Sequence, residues 1–438
     1  MTTTPTSQPH IDTPPRLAPS DLDASVARVL DEVPFVDIHT HLFSPSLGSL
    51  GLWGIDDLLT YHYLEAEFFR DSSMRPERYW KLPKSQRADL VWKTLFIDHT
   101  PLSEATRGVI TVLHALGLDP SASSLAPLRD FFRAQDLGDY VLRIFRLAGV
   151  SHVVMTNDPL DPQEAAIWNG GSIEDDRFLS ALRLDRVVNE WEAHHERLAA
   201  DGYAVEADAG AASIKEVRRF LAEWIARLRP RYLAVSLPDT FVFPRDDVRT
   251  RLLTEAILPT CREHQLPLAL MVGVRRQVNP ALRLAGDAAG RADMHSIGAL
   301  CRRFPDNRFM VSALSRENQH ELCVYARKFS NLLPFGCWWF LNSPSIVEEV
   351  TRERLEMLGT SFIPQHSDAR VLEQLLYKWR ETRRTIAPIL AKSYARLLRD
   401  GRNVTESEIR RDVTRLFRTN FERWAGPVGT EPRSDRLA

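Results

Sequence analysis

Two histidines separated by one residue close the apolar run Val33-Pro-Phe-Val-Asp-Ile-His-Thr-His41. Successive side chains of an extended strand point to opposite faces, so His39 and His41 share a face, about 6–7 Å apart at roughly 3.3 Å per residue. Two imidazoles so placed can converge on one metal ion if the strand ends at the site; a hydrogen-bonded core histidine is the ordinary alternative for His-x-His. A third candidate ligand is Asp368, in the late segment His366-Ser-Asp-Ala-Arg370. Imidazole nitrogen with carboxylate oxygen suits one divalent ion, zinc before manganese. Three protein ligands leave a position open for water or substrate, which is the pattern of a catalytic rather than a structural site.

For these residues to meet, the fold must bring the end of the chain beside its beginning. The segment Asp21–Glu32 has Leu22, Val26, Val29 and Leu30 at helical spacing and leads into the first apolar strand. Residues 56–148 read as helices interrupted by prolines 76, 83, 101, 120 and 127, an insertion after that strand. Short apolar runs then alternate with helical patterns: Val150–Thr156, Leu179–Leu184, Tyr232–Leu237, Leu266–Val272, Phe309–Leu314, Asn331–Trp338 and Ser361–Gln365. Eight such units predict an α/β fold, a (β/α)8 TIM-type barrel over 21–425, with helices 371–425 packed on its outside. A doubly wound open sheet is the alternative, but no Gly-x-Gly-x-x-Gly follows the first strand. Residues 1–20, rich in Thr, Pro and Ser, and 426–438 read as tails. In such barrels chemistry sits at the C-terminal ends of the strands. Those ends carry His39 and His41, Asn157-Asp158-Pro159, Arg183 and Asp185, Ser236 and Asp239, Arg275, Ser315-Arg316, Trp338-Trp339, and His366 to Arg370. Closure makes strand eight the neighbour of strand one, which joins Asp368 to the histidine pair.

Composition excludes several function classes. A net charge of −2 gives no reason to expect nucleic acid or an anionic membrane as partner. No apolar run is long enough to cross a bilayer, and the N-terminal stretch lacks the apolar core of a secretory signal. The four cysteines, Cys261, Cys301, Cys323 and Cys337, form no C-x-x-C pair and read as free thiols of a reducing compartment, so cytoplasm is expected.

The ordered motifs resemble the uronate isomerase (glucuronate isomerase) family of the amidohydrolase superfamily, as a divergent branch. The matches are Phe35-Val-Asp-Ile-His-Thr-His-Leu42, Tyr61-His62-Tyr63 in the helical insertion, Thr156-Asn-Asp-Pro159, Leu182-Arg183-Leu-Asp185, Gly336-Cys-Trp338-Trp339-Phe340 and Ser367-Asp368-Ala-Arg370. Two departures matter. The family's strand-five histidine is absent from Leu270-Met271-Val272-Gly273, and no strand-four lysine is evident, which leaves a mononuclear site. Asn342 stands where the family often has aspartate.

The resemblance implies interconversion of an aldose acid and a ketose acid, D-glucuronate with D-fructuronate or D-galacturonate with D-tagaturonate, through an enediol. It implies metal ligands His39, His41 and Asp368, with Asp368 doubling as the base and Tyr63, beside His62, as proton shuttle. Arg183 and Arg370 are the carboxylate clamp, with Asp185, Trp338 and Trp339 also against the substrate. The expected partner is a small sugar acid, and the expected assembly a homo-oligomer. Plainer readings stand beside these: Arg183–Asp185 as a structural ion pair, Tyr63 as packing in the insertion, and the tryptophans as core. His366 lines the pocket or supports a ligand by a hydrogen bond. Two other functions fit the same barrel, a mononuclear metal-dependent hydrolase and a non-catalytic sugar-acid-binding barrel.

Overall fold

The computed structural model describes residues 16–171 and 175–428; the expected tails at 1–15 and 429–438 lie outside the described residues. Residues 16 and 17 run along the C-terminal helices, with Leu17 N donating to Val404 O at 3.0 Å. The strands are β1 (Phe35–Thr40), β2 (Val150–Asn157), β3 (Phe178–Arg183), β4 (Leu233–Pro238), β5 (Leu268–Arg275), β6 (Ala288–Ala289), β7 (Phe309–Ala313) and β8 (Leu332–Pro334). They pair in the order β1-β2-β3-β4-β5-β7-β8, all parallel, with the two-residue β6 antiparallel on β5. Helices fill the crossovers, and seven α-helices and one π-helical segment between Ile55 and Ala148 make up the insertion after β1.

Alternation along each strand divides the core in two. Leu182, Leu233, Val235, Leu268, Leu270 and Val311 face the surrounding helices. Ala181, Ala234, Ala269, Met271, Met310 and Leu333 fill the interior with Val36, Ile38 and Val154. Ala234 and Ala269 lie level with Met310, and Ala181 lies two residues lower on β3. The long helix Gln374–Arg399 packs outside, and its Trp379 meets Phe35 of β1 at 5.1 Å. The last helix does not: Phe421, Ala425 and Val428 join the interior cluster and plug the N-terminal end of the barrel, so chemistry has only the opposite mouth.

Two corrections concern the strands. The run Ser361–Gln365 forms no strand, and Asn331–Trp338 shortens to three residues. Pro334 and Pro364 each lack the N–H a ladder needs. Closure is made instead by a few bonds. Ile363 bridges to Phe335, while Asp368 N donates to His39 O at 3.2 Å and His41 N to Ala369 O at 2.7 Å. The second correction is a bulge in β1. Asp37 pairs with Val153 and Thr40 with Met155, so three steps on β1 face two on β2. Val36 and Ile38 can therefore point into the core and His39 and His41 into the mouth of the same barrel, the kind of re-aiming bulges provide.

Candidate metal centre and pocket

His39 and His41 are each held by a hydroxyl that belongs to a neighbouring strand region. Tyr232 Oη donates to Ile38 O at 2.7 Å and lies 3.0 Å from His39 Nδ1. Thr156 Oγ1 donates to Thr40 O at 3.0 Å and lies 2.8 Å from His41 Nδ1. A hydroxyl has one proton to give. With that proton committed to a carbonyl, each oxygen accepts from the histidine, so both imidazoles carry their proton on Nδ1. Burial holds His39 down to about 3 and His41 well below the ordinary histidine value, so both rings are neutral. The two Nε2 lone pairs are left facing one carboxylate oxygen. Asp368 Oδ1 lies 3.7 Å from His39 Nε2 and 3.4 Å from His41 Nε2.

Two imidazole lone pairs and a carboxyl oxygen thus converge within 4.8 Å of one another. Asp368 Oδ1 is buried without a hydrogen-bond partner. An arrangement that repels itself unless a cation sits at its centre fits a divalent ion with two nitrogens and one oxygen. Asp368 itself is held at φ 52°, a left-handed conformation uncommon for aspartate. Asp37, fully buried, fixes this segment by accepting from Ser367 N at 3.0 Å and Trp379 Nε1 at 2.9 Å. His366 packs its ring 5.1 Å from that of His39. Neither of its ring nitrogens has a partner, so the hydrogen bond to a ligand expected of it is not made. Gly336, at φ 67°, makes room for it, since a Cβ there would lie 2.0 Å from the ring.

A narrow pocket opens over this group. Its walls include His62, Thr156, Arg183, Asp185, Ser236, Met271, Arg276, Trp338, Trp339 and Arg370. Arg183 donates from Nε and Nη2 to both oxygens of Asp185, at 2.9 and 3.3 Å. Burial works against ionisation of Asp185, but the Arg183 charge outweighs it and holds the carboxyl below its usual range. The ion-pair reading of these two residues and their place in the pocket are both present. Arg370 makes no ion pair or side-chain hydrogen bond to any described residue, so its fork is open. His62 lines the pocket, its Nε2 is buried without a hydrogen-bond partner, and burial keeps the ring neutral. Tyr63 does not line the pocket; it packs behind His62, with ring centroids 4.5 Å apart, and against Phe340.

Of the other strand-end residues, Asp239 pairs with Arg275 and Arg316 with Glu349, both away from the pocket. Three residues that matter were not singled out from sequence. Tyr232 opens an apolar run and looks like core. Asp37 lies inside the first motif but carries no spacing signal. Arg276 stands one place beyond Arg275, and only the turn that follows β5 decides which of the two faces inward.

The chain superimposes on a uronate isomerase from Bacillus halodurans C-125 with a TM-score of 0.92 and 50 % identity, covering 94 % of this chain and 97 % of that one. A uronate isomerase from Thermotoga maritima shares the fold at a TM-score of 0.75 and 14 % identity, covering 92 % of this chain and 97 % of that one. A glucuronate isomerase from Caulobacter crescentus does so at 0.76 and 14 %, covering 97 % and 96 %. No protein-family model and no curated protein matches the chain.

Proposed function

The chain belongs to the uronate isomerase family and is an aldose–ketose isomerase; we propose that it interconverts D-glucuronate with D-fructuronate or D-galacturonate with D-tagaturonate, using one zinc ion held by His39, His41 and Asp368. The observation that carries this reading is the convergence of His39, His41 and Asp368 ligand atoms beneath a pocket whose Arg370 has no side-chain partner among the described residues. When bound, a divalent ion supplies a Lewis acid for the oxygens of the reacting carbons.

The chain's own residues do the rest. Asp368 takes the proton from C2 and returns it to C1, and its left-handed backbone aims the carboxylate at both. His62, neutral and with Nε2 open, moves the hydroxyl proton from the oxygen on C2 to the oxygen on C1, which completes the proton balance. Tyr63 backs the His62 ring and keeps it turned inward. Arg370 stabilises the negative charge that develops on the enediolate oxygens. Arg183 fixes Asp185, whose oxygens face the substrate hydroxyls, and Trp338 and Trp339 exclude water from one wall. Four buried, unpaired cysteines fit a cytoplasmic protein. Among the described residues no helix is long and apolar enough to cross a membrane.

The test is conversion of D-glucuronate and D-galacturonate by zinc- and manganese-loaded protein, and by the same protein after chelation. Loss on chelation and recovery with metal are expected. Failure of the loaded protein to convert either acid overturns the reading.

A further inference from the structure

We propose that Lys378 is a positioning residue for the isomerisation: through Glu104 and Tyr63 it sets where His62 stands relative to Asp368 and Arg370. This rests on the uronate reading above and deepens it by naming what aligns the two proton-moving groups.

His62 and the segment Asp368–Arg370 reach the pocket from separate parts of the chain, one from the helical insertion and one from the closing end of the barrel. Their register matters, because a misplacement of about 1 Å can cost about 100-fold in rate. The insertion has no strand with which to pair to the barrel. The helix Gln374–Arg399 makes the connection instead. In its first turn Gln374 Oε1 accepts from Arg370 N at 2.8 Å and from Val371 N at 3.1 Å. Lys378 stands four residues on, one turn further along the same face. Its Nζ donates to Glu104 Oε1 at 2.9 Å and lies 5.8 Å from the centre of the Tyr63 ring, within reach of a cation–π contact. Tyr63 packs in turn on His62.

The far side of the connection is also built. Glu104 opens the helix Glu104–Leu116, and Ser103 caps it. Ser103 Oγ donates to Glu67 Oε2 at 2.7 Å, and Glu67 lies on the helix His62–Asp71, which His62 begins. Two adjacent residues thus hold the helix of His62 on one side and Lys378 on the other. One turn along, Gly108 lets the helices close, since a Cβ there would lie 2.9 Å from the Tyr377 ring. The Lys378 side chain is only 6 % exposed. A buried ion pair adds little net stability, because desolvation offsets most of the attraction, and fixing register is its best-attested use. Neither Lys378 nor Glu104 lines the pocket over the metal ligands. What the pair contributes is the alignment of groups that do.

The experiment measures zinc content, and kcat and KM on both uronates, for wild type, Lys378→Met, Lys378→Arg and Glu104→Gln, and repeats Lys378→Met in a His62→Gln background. For Lys378→Met, kcat falls about 10- to 100-fold while KM stays within about threefold and zinc content is unchanged, because alignment of the reacting groups is lost and substrate binding is not. Lys378→Arg, which keeps the charge, and Glu104→Gln, which keeps an acceptor, fall between Lys378→Met and wild type. In the His62→Gln background, Lys378→Met lowers kcat by less than about twofold, since the group it aligns is already gone. An active wild type with unchanged kcat in Lys378→Met overturns this inference alone, as does a loss of equal size in both backgrounds or a fall in zinc content that matches the fall in kcat. A wild type inactive on both acids overturns the uronate reading itself. Where His62→Gln shows no turnover, the split between kcat and KM decides, and a change confined to KM counts against alignment. If Lys378→Met does not fold, Glu104→Gln takes its place in both backgrounds, with the same outcomes.

Discussion

The two ends of the pocket are built by different means. At the metal end, His39, His41 and Asp368 are fixed by short bonds within and between β1, β2 and the segment 366–370, and nearly every group is buried. At the β5 end, one exposed arginine, Arg276, is held by one buried aspartate, Asp287, on a returning loop. The metal end is held because both histidine Nδ1 atoms and the backbone of the Asp368 segment are tied to the barrel wall, which leaves the inward-facing ligand atoms free. The β5 end is a single strut, which makes it separable from the rest.

That contrast can be broken or sharpened by experiment. The largest effect belongs to the metal end. His39→Ala is expected to lower kcat/KM by about a thousandfold or more, since ligands acting as a unit lose most of their effect together; metal analysis of the purified variant should show substoichiometric ion, and full loading with high activity would break the assignment. Next come the hydroxyls behind the ligands. Tyr232→Phe and Thr156→Val each free a histidine Nδ1–H, and metal affinity should fall about 10- to 100-fold in competition with a chromophoric chelator. An unchanged affinity would mean that the rings are held by packing alone.

A smaller effect is expected at the β5 end. Gly273 sits at φ 104°, and a Cβ there would lie 2.7 Å from Gly290 O. Gly273→Ala should cost about 1–3 kcal/mol of stability by denaturant titration and raise KM more than it lowers kcat. A fall in kcat alone would show that the two ends are coupled.

The smallest effect concerns pH. Burial pushes the Glu373 carboxyl up to about 7 while it accepts from Gly54 N at 2.9 Å. A folded-state value raised above the unfolded one means that the native state binds the extra proton. Stability from this group is therefore present below the ordinary glutamate range and lost as pH rises toward and through 7. Glu373→Gln should gain on wild type by roughly 2–6 °C in Tm between pH 5 and 8. A constant difference across that range would remove Glu373 as a titrating anchor.

Much of the metal end was legible in the sequence because a strand-end His-x-His and a late Asp-x-Arg are compact, local patterns, and barrel closure joins them. The barrel was legible because its strands are buried on both faces and read as continuous apolar runs. What failed did so where hydrogen bonding replaced pattern. Strand eight looked apolar enough, but Pro334 and Pro364 withhold donors and closure passes to Asp368 N and His41 N. Tyr232 could not be found because its role depends on a phenol meeting a residue 193 positions away. Arg276 could not be singled out because it lies in the turn just past Arg275, where β5 ends and the alternation of strand faces no longer says which way a side chain points. The last helix entered the barrel because Phe421, Ala425 and Val428 form an apolar edge that charge-rich neighbours concealed.

Each metal-binding histidine is tied through one hydroxyl to the carbonyl of the residue just before it. The ion's seat is therefore a property of the first strand and its supports, and owes nothing to the loop that carries Arg276. Substitutions in that loop leave both hydroxyl-to-carbonyl ties untouched, so the two regions can vary independently.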